Sequence, residues 1–548
     1  MTKHALMLRE LEHEIEWLMR HTDPQSGAPM RPDLYTDTRY TGFSAARMLT
    51  AYVHPQSRYH ASPALLSAIT DALNYMEKNK RPSGLFDLSS CNFDSAPDTA
   101  FTINAMMDAA VLLKTADVPG RDGLLEKLIH LIETACEGIC AGGFHTPNHR
   151  WAISAALKTA ALLTGRQDFS DRADIYLREG LDISRDGEFA ERSTGTYNGV
   201  NDDQMIRLYL ATGDRLYLEA ARSNLEMMLS YFDPDGSVFT FNSTRQDYGQ
   251  KVWPADYYIL YLLVGYLMHD PGFAAYSESM WEMSAAHGSI PGGLVWLMRF
   301  PDLETYGEQL QPDPAPLARY SRIFPGSGIG RWKRDRFSVT VLANKPNFLY
   351  VQNDTLNLCV SLYGNVCDKR NFIAESIEPT DDGCRLACHM DSWYYLPFDG
   401  DGPATSDWWQ MDNASTRRRQ IRASLDLTVQ IHVEEDAVRL SLSAEGLDRV
   451  PLRLELGFTP GTLRGEQFLM EARPGGEITV SGGDIEVSSP SGHCLTVSPC
   501  FASHHVLGRM GGAFPKAEDR FTVYLTCTSP CTREITIGTR LLFPSTLA

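Results

Sequence analysis

The sequence has no run of 18 uncharged apolar residues, so no segment reads as a membrane-spanning helix. It is poor in basic residues: 50 Lys and Arg stand against 69 Asp and Glu, a formal net charge of -19. That balance excludes a general nucleic-acid or anionic-membrane surface, which needs a basic face. An acidic ligand would need local Arg, Lys or His set against the field of the whole chain. Cysteine is present but unpatterned. There are eleven, none in a CxxC, and the CxxxC pairs Cys136/Cys140, Cys384/Cys388 and Cys527/Cys531 lack accompanying zinc-ligand spacing. Reduced thiols in a cytoplasmic protein are expected. The opening MTKHALMLRELEHEIEWLMRHTD has no apolar h-region and no small-residue cleavage site, and reads as an amphipathic helix. No Gly-rich phosphate loop occurs in the right context, so no nucleotide or organic cofactor is expected.

What is present is a chain of 548 residues with 43% hydrophobic and 22% charged residues, ordinary globular composition for two or more domains. Up to about residue 310 the period is helical. PALLSAITDALNYMEKN, RWAISAALKTAALLTG and ADYYILYLLVGYLMH carry apolar residues at three- and four-residue spacing. From about 325 onward the period is two. RFSVTVLANKPNFLYVQ and RQIRASLDLTVQIHVEEDAVRLSLSAEG alternate apolar and polar residues between turns, as antiparallel strands do. The expected class is multidomain α + β. Residues 1–310 form an α/α toroid, an incomplete or complete (α/α)6 barrel. Residues 311–328 are a linker and 329–548 an antiparallel β-sandwich.

The toroid rests on a weak repeat. Four times a glycine turn precedes a short aromatic or polar segment and then a helix, at Gly84, Gly143, Gly187 and Gly236. If each turn occupies the same end of its helix pair, four polar clusters share one rim. Asp94 and Asp98 would face Asn148, His149 and Arg150, then Glu191, Arg192 and Tyr197, then Arg245 and Asp247. Thr146-Pro147 is a suitable N-cap and first helical residue, putting Asn148, His149 and Arg150 in a first turn whose free N–H groups favour an anion. Taken alone, that triplet reads more plainly as a capped helix start with its His and Arg satisfied by neighbours; the repeat is what brings the two readings level. Tyr197 reads as lying on a Gly-flanked loop ahead of Asn201, which caps the next helix with Gln204. Arg192 and His149 beside Tyr197 would lower its pKa and fit it for proton transfer; packing is the plainer reading.

The NHRW helix start, followed 48 residues after His149 by a Tyr in an acidic, Gly-rich loop, resembles the heparinase II/III-type and oligo-alginate-lyase polysaccharide lyases. The resemblance implies a toroid followed by an antiparallel sheet domain, and β-elimination at a uronic acid. Asn148 would then help neutralise the substrate carboxylate, His149 would neutralise it or move a proton, and Tyr197 would be base, acid or both. Substrate contacts would come from Arg150, Arg192, Arg245, Asp94, Asp98, Trp151 and Asp247. The sequence departs from the pattern at Pro147, where alginate-cleaving members carry a second Asn, and at Arg150-Trp151, where a small residue is usual. The tyrosine loop also lacks the family's second Tyr and its His. Some members hold a structural metal in the sheet domain. His389 and His432 are the candidates here, but lone strand histidines are more often packing or surface residues, and no metal is expected.

Two other readings stay open. Toroids also carry glycoside hydrolases, β-glucuronidase-like ones included, which need two carboxyl groups about the scissile bond. Asp94, Asp98, Glu188, Glu191, Asp202 and Asp203 are candidates, with Glu191 the acid. A non-catalytic sugar-binding scaffold would use the aromatic stretches DYGQKVWPADYY, DSWYYLPF and SDWWQMD. The expected partner is an acidic oligosaccharide, with neither nucleic acid nor membrane; a homodimer is left open.

Overall fold

The computed structural model describes residues 1–311, 315–396 and 419–541, together with Asp407 and Trp409. The chain divides into two compact units, Met1–Tyr231 with Gly236–Pro314, and Phe232–Asp235 with Ala315–Ala548.

The first unit is helical: α1 (Lys3–Arg20), α2 (Thr38–Val53), α3 (Pro63–Asn79), α4 (Ala96–Thr115), α5 (Arg121–Ala141), α6 (Pro147–Thr164) and α7 (Gln167–Leu177). It continues with α8 (Tyr197–Thr212), α9 (Arg215–Met228), α10 (Ala255–Met268), α11 (Pro271–Ala274), α12 (Tyr276–Ala285), α13 (Leu294–Arg299) and α14 (Asp302–Glu308). Inner helices α2, α4, α6 and α8 pack each on the next, and each also packs on the helix that follows it in sequence. This is an α/α toroid. The division into inner and outer helices follows from composition. In α4 and α10 the buried residues run all round the helix, whereas α3 and α9 bury one stripe and expose the other. A fully buried Leu or Ile on such a stripe, as at Leu65, Ile69 and Leu225, contributes about 1.5–3 kcal/mol.

The glycine repeat holds in three of its four members. Gly84 and Gly187 both have φ +89, and a Cβ on either would meet the backbone oxygen of an outer helix, Thr134 O at 2.2 Å or Ser223 O at 2.4 Å. Gly236 takes φ +81 beside Met283. Gly143 has no positive φ and nothing within 4 Å of a Cβ, so it does not belong to the repeat. Instead Gly27, φ +69 beside Asp71, repeats the arrangement between α1 and α3. The positive φ of the turn and the close approach of a second helix together demand the residue.

The second unit carries two nine-stranded sheets among the described residues. One is built around Phe337–Leu342, Asn347–Asn353, Leu356–Val366, Pro451–Phe458 and Phe521–Thr528; the other around Gly383–Tyr395, Arg419–Val433, Ala437–Gly446 and Cys531–Leu541. Among the described strands pairing is antiparallel apart from Glu477–Thr479 beside Phe521–Thr528, and an isolated parallel bridge joins Ala502 to Thr526. Leu358, Leu454 and Val523 of one sheet and Leu427, Leu440 and Ile535 of the other join a single core, which makes the unit a sandwich. The stretch read as linker is not structureless. It holds a helical turn, Ala315–Ala318, and an edge strand, Arg319–Phe324, paired with Ile329–Arg334; residues 312–314 lie outside the described part.

Candidate active site

Helix α6 begins where its cap residues place it. Thr146 is the N-cap and Pro147 the first helical residue, although the Thr146 side chain makes no capping hydrogen bond. The anion at this helix start is the chain's own. Glu191 Oε2 accepts from the backbone N–H of Asn148 at 3.1 Å, and both Glu191 oxygens accept from Asn148 Nδ2 at 2.7 Å. Glu191 and Asn148 are almost wholly buried. Burial pushes the Glu191 carboxyl up, against the pull of Asn148 and of Arg245, whose Nε lies 3.6 Å from Oε1. Asn148 thus spends donors on Glu191 and leaves its buried Oδ1 without a hydrogen bond.

His149, the next residue, packs edge-on against Phe101 and His145, with ring centroids 6.1 and 4.8 Å away. Burial lowers its pKa to about 4, with His145 second; Asp98 opposes the fall and Arg245 adds to it. The imidazole is therefore neutral at pH 7 and cannot supply charge to a carboxylate; what it has is one hydrogen-bond donor and one acceptor. Its buried Nδ1 has no partner.

Tyr197 is not on a loop. It is the first residue of α8, whose start lies four residues before the expected cap at Asn201. The start is set by tertiary contacts. Asp247 accepts from Ser193 Oγ at 2.8 Å, Ser243 Oγ at 2.6 Å and the Gly195 N–H at 2.9 Å, and Ser193 Oγ in turn accepts from the Tyr197 N–H at 3.0 Å. Asn201, expected as a cap, is fully buried in mid-helix. The Tyr197 hydroxyl accepts from Gln246 Nε2 at 2.8 Å, and the Arg245 guanidinium sits 5.3 Å from the centre of its ring. The cation beside Tyr197 is thus Arg245 rather than Arg192, which takes φ +50 and pairs with Glu188 at 3.5 Å.

Asn148, His149, Tyr197 and Arg245 line one cavity of about 700 Å³. Helix α8 contributes Tyr197, Val200, Asp203, Gln204 and Arg207 at three- and four-residue spacing, and α4 contributes Asp98, Phe101 and Asn104. Asp98 accepts from Ser95 Oγ at 2.7 Å and Asn92 Nδ2 at 3.1 Å, with Arg39 Nε 3.3 Å away. At the inner end Arg207 makes a two-pronged pair with Asp108 at 2.9 and 2.7 Å and donates to Asp203 at 2.7 Å. Arg299 joins Asp108 at 3.1 Å. A second cavity of about 610 Å³ shares Phe43, Asp108's partner Arg207 and Ala105 with the first, and adds Glu10 and Glu14.

The other expected contacts stand elsewhere. Arg150 lies 4.0 Å over the buried Trp151 ring and donates to Gly180 O at 2.7 Å, while Trp151 Nε1 donates to Asp182 at 2.8 Å. Both serve the packing of α6, because on a helix the residues after His149 turn away from the face that His149 occupies. Asp247 anchors the 193–195 turn, and Asp94 is an exposed residue of the short strand Asn92–Ser95, with φ +51, that accepts from Ser83; neither lines the cavity. Of the carboxyls considered for hydrolysis, Glu188, Glu191 and Asp202 are buried outside the cavity lining, and Asp98 and Asp203 line it. Sequence reasoning missed Gln246, Arg39, Arg207 and Asp256. Gln246 was adjacent to a chosen residue, and Asp203, Gln204 and Arg207 follow from extending the α8 face through Tyr197. Nothing local marks Arg39.

In the sheet unit His389 donates or accepts at 2.7 Å with Asp426 through Nδ1 and at 2.8 Å with Asp391 through Nε2. His432 pairs with Asp382 at 2.8 Å. Opposite ring nitrogens hold the two His389 carboxylates apart, and no group of three or more metal-ligating side chains occurs among the described residues. These residues do not fit a metal centre. Of the aromatic stretches, Trp253 stacks on His287 at 3.5 Å. Residues 397 and 398 of DSWYYLPF, and all of SDWWQMD except Asp407 and Trp409, lie outside the described residues.

No protein-family model matches the chain, and no curated protein matches it. Solved structures do. A Streptomyces coelicolor A3 chondroitin AC lyase in complex with chondroitin sulphate matches 98% of this chain and 79% of its own, at a TM-score of 0.56 and 12% identity. The fold is one that polysaccharide lyases use. A Paenibacillus xanthan lyase matches 99% of this chain and 57% of its own, at TM-score 0.60 and 10% identity. A heparan sulfate lyase from Pedobacter heparinus matches 97% and 83%, at TM-score 0.52 and 10% identity. At such identities the likeness establishes a toroid followed by β-structure, as expected, and leaves the chemistry to the cavity.

Proposed function

We propose that this protein is a lyase that cleaves uronic-acid-containing oligosaccharides by β-elimination. The observation that supports the reading is the Tyr197 hydroxyl, held by Gln246 beside Arg245, in a cavity also lined by His149, whose buried Nδ1 has no partner. The reaction removes the proton at C5 of a uronate, places the freed pair in a C4–C5 double bond, and expels the glycosidic oxygen from C4. Charge that builds on the carboxylate in the transition state must meet fixed donors. Arg245 is the cation for it, because its tie to Glu191 at 3.6 Å is the loosest of the cavity's ion pairs and its Nε makes no hydrogen bond. His149, neutral, adds a hydrogen bond. Asn148 acts by holding Glu191 in place behind Arg245. Tyr197 takes the C5 proton and returns a proton to the leaving oxygen.

Incubation with uronate oligosaccharides tests this. New conjugated near-UV absorbance together with new reducing ends supports the lyase. Reducing ends alone would replace it with a hydrolase working through Asp203 and Asp256, the neighbouring cavity carboxyls. Binding with neither signal would leave a sugar-binding scaffold. Cytoplasmic location, and short imported chains as substrate, belong to the same proposal.

A further inference from the structure

Resting on that reading, we infer that the cavity selects uronate oligosaccharides without sulfate esters, whose remaining ring substituents are hydroxyl or other uncharged groups. The inference comes from matching the cavity's charges and its unused hydrogen-bonding atoms to a substrate.

Three guanidiniums line the cavity, and each already faces a carboxylate: Arg39 with Asp98, Arg207 with Asp108 and Asp203, Arg245 with Glu191. Arg207 is held by three charged hydrogen bonds and cannot be spared without leaving Asp108 and Asp203 unbalanced. Arg39 and Arg245 are both held without a hydrogen bond at Nε. Arg39, however, shares the cavity lining with its partner Asp98, whose charge an incoming anion would meet, whereas Glu191, the partner of Arg245, lies outside the lining. The cavity therefore has one cation to offer, which one uronate carboxylate uses. A sulfate ester, charged at any working pH, would need a second.

Two of the lining residues, Asn104 and Asn148, are 3% and 0% exposed, and the Oδ1 of each is a buried acceptor with no hydrogen bond. Asp256 lies open on the cavity surface near Asp203, with no cation paired to it. Acceptors call for O–H or N–H donors; a sulfate offers only more acceptor oxygens. It would set its charge near Asp98, Asp203 or Asp256, within a protein already at -19. Exclusion of the sulfated analogue by unmatched like charge is a route to specificity that needs no added attraction for the right substrate.

The test uses backbone-matched tetrasaccharide pairs, unsulfated chondroitin against chondroitin sulfate and heparosan against heparan sulfate. Turnover is followed by the conjugated product, and binding by calorimetry on the Tyr197→Phe variant. The expected result is at least about a tenfold preference in kcat/KM for the unsulfated member of whichever pair is cleaved, measured at low salt. That preference should shrink in added NaCl, and again in Asp256→Asn, which removes one repelling charge at constant shape. Equal or faster turnover of the sulfated member overturns the inference while leaving the lyase reading intact. So does a preference unmoved by both salt and Asp256→Asn. If no conjugated product forms from any of the four, the lyase reading fails. Calorimetry then decides the selectivity alone: tighter binding of the unsulfated members upholds it, and equal or tighter binding of the sulfated members overturns it.

Discussion

His149 in the helical unit and His389 in the sheet unit look alike in the sequence, each a lone imidazole beside polar and aromatic residues. Their surroundings make them opposites. His149 is partly buried, has no partner at Nδ1, and is held neutral by burial. His389 is 54% exposed, and its ring is spanned by Asp426 and Asp391, the first of which does most to raise its pKa. The first has hydrogen-bonding capacity left for a ligand; the second has spent its own. Unmet capacity in a cavity, more than residue type, marks a candidate functional group.

The comparison breaks first on activity. Tyr197→Phe is expected to lower kcat by about 10²–10⁴-fold with substrate binding retained, the range for a lost proton-transfer group. Unchanged turnover would remove Tyr197 from the chemistry. His149→Gln should cost about 10²-fold, while His389→Ala should leave kcat/KM within about twofold; steady-state rates on the same oligosaccharide decide between them.

pH sharpens the same contrast. A folded pKa lowered from 6.5 to about 4 means that the native state binds fewer protons than the unfolded chain between those values. Stability from His149 is complete above pH 6.5 and is lost as pH falls toward 4, a change of roughly 3 kcal/mol. His54, lowered to about 4 by burial and then by His4, acts in the same direction. Denaturant melts from pH 7.5 to 4.5 should show less acid loss in His149→Gln than in the parent. For His389 the sign reverses: its raised pKa stabilises the fold at low pH and the contribution fades as pH rises through the folded value. Histidine NMR titration should place the two on opposite sides of 6.5.

The smallest effect concerns the repeat. Gly187→Ala should destabilise by more than about 1 kcal/mol, because φ +89 and the Ser223 carbonyl leave no place for a Cβ. Gly143→Ala should stay within about 0.5 kcal/mol in the same melts. Equal effects would restore Gly143 to the repeat.

Much of the fold was legible because its signals are local. The switch from a period near 3.6 to a period of 2, the Thr146-Pro147 start of α6, and the span Pro63–Asn79 of α3 were all readable from neighbouring residues. The start of α8 was not, since Ser193 and Asp247 cap it from outside the helix. Among the site residues, His149, Tyr197 and Arg245 were brought to one rim by the repeat, and the resemblance added roles for the first two. Arg150, Trp151, Arg192, Asp94 and Asp247 were drawn in by nearness along the chain, which on a helix or tight turn sends neighbours to different faces.

The sequence by itself determined the order of helical and sheet units and the positions of most elements, because periodicity and capping act over a few residues. Only the tertiary structure decided which polar side chains are spent on the protein and which are left for a ligand. Asn148 meets Glu191 across 43 residues and Arg207 meets Asp108 across 99, so their hydrogen-bonding and charge balance is set by packed helices rather than by any local motif.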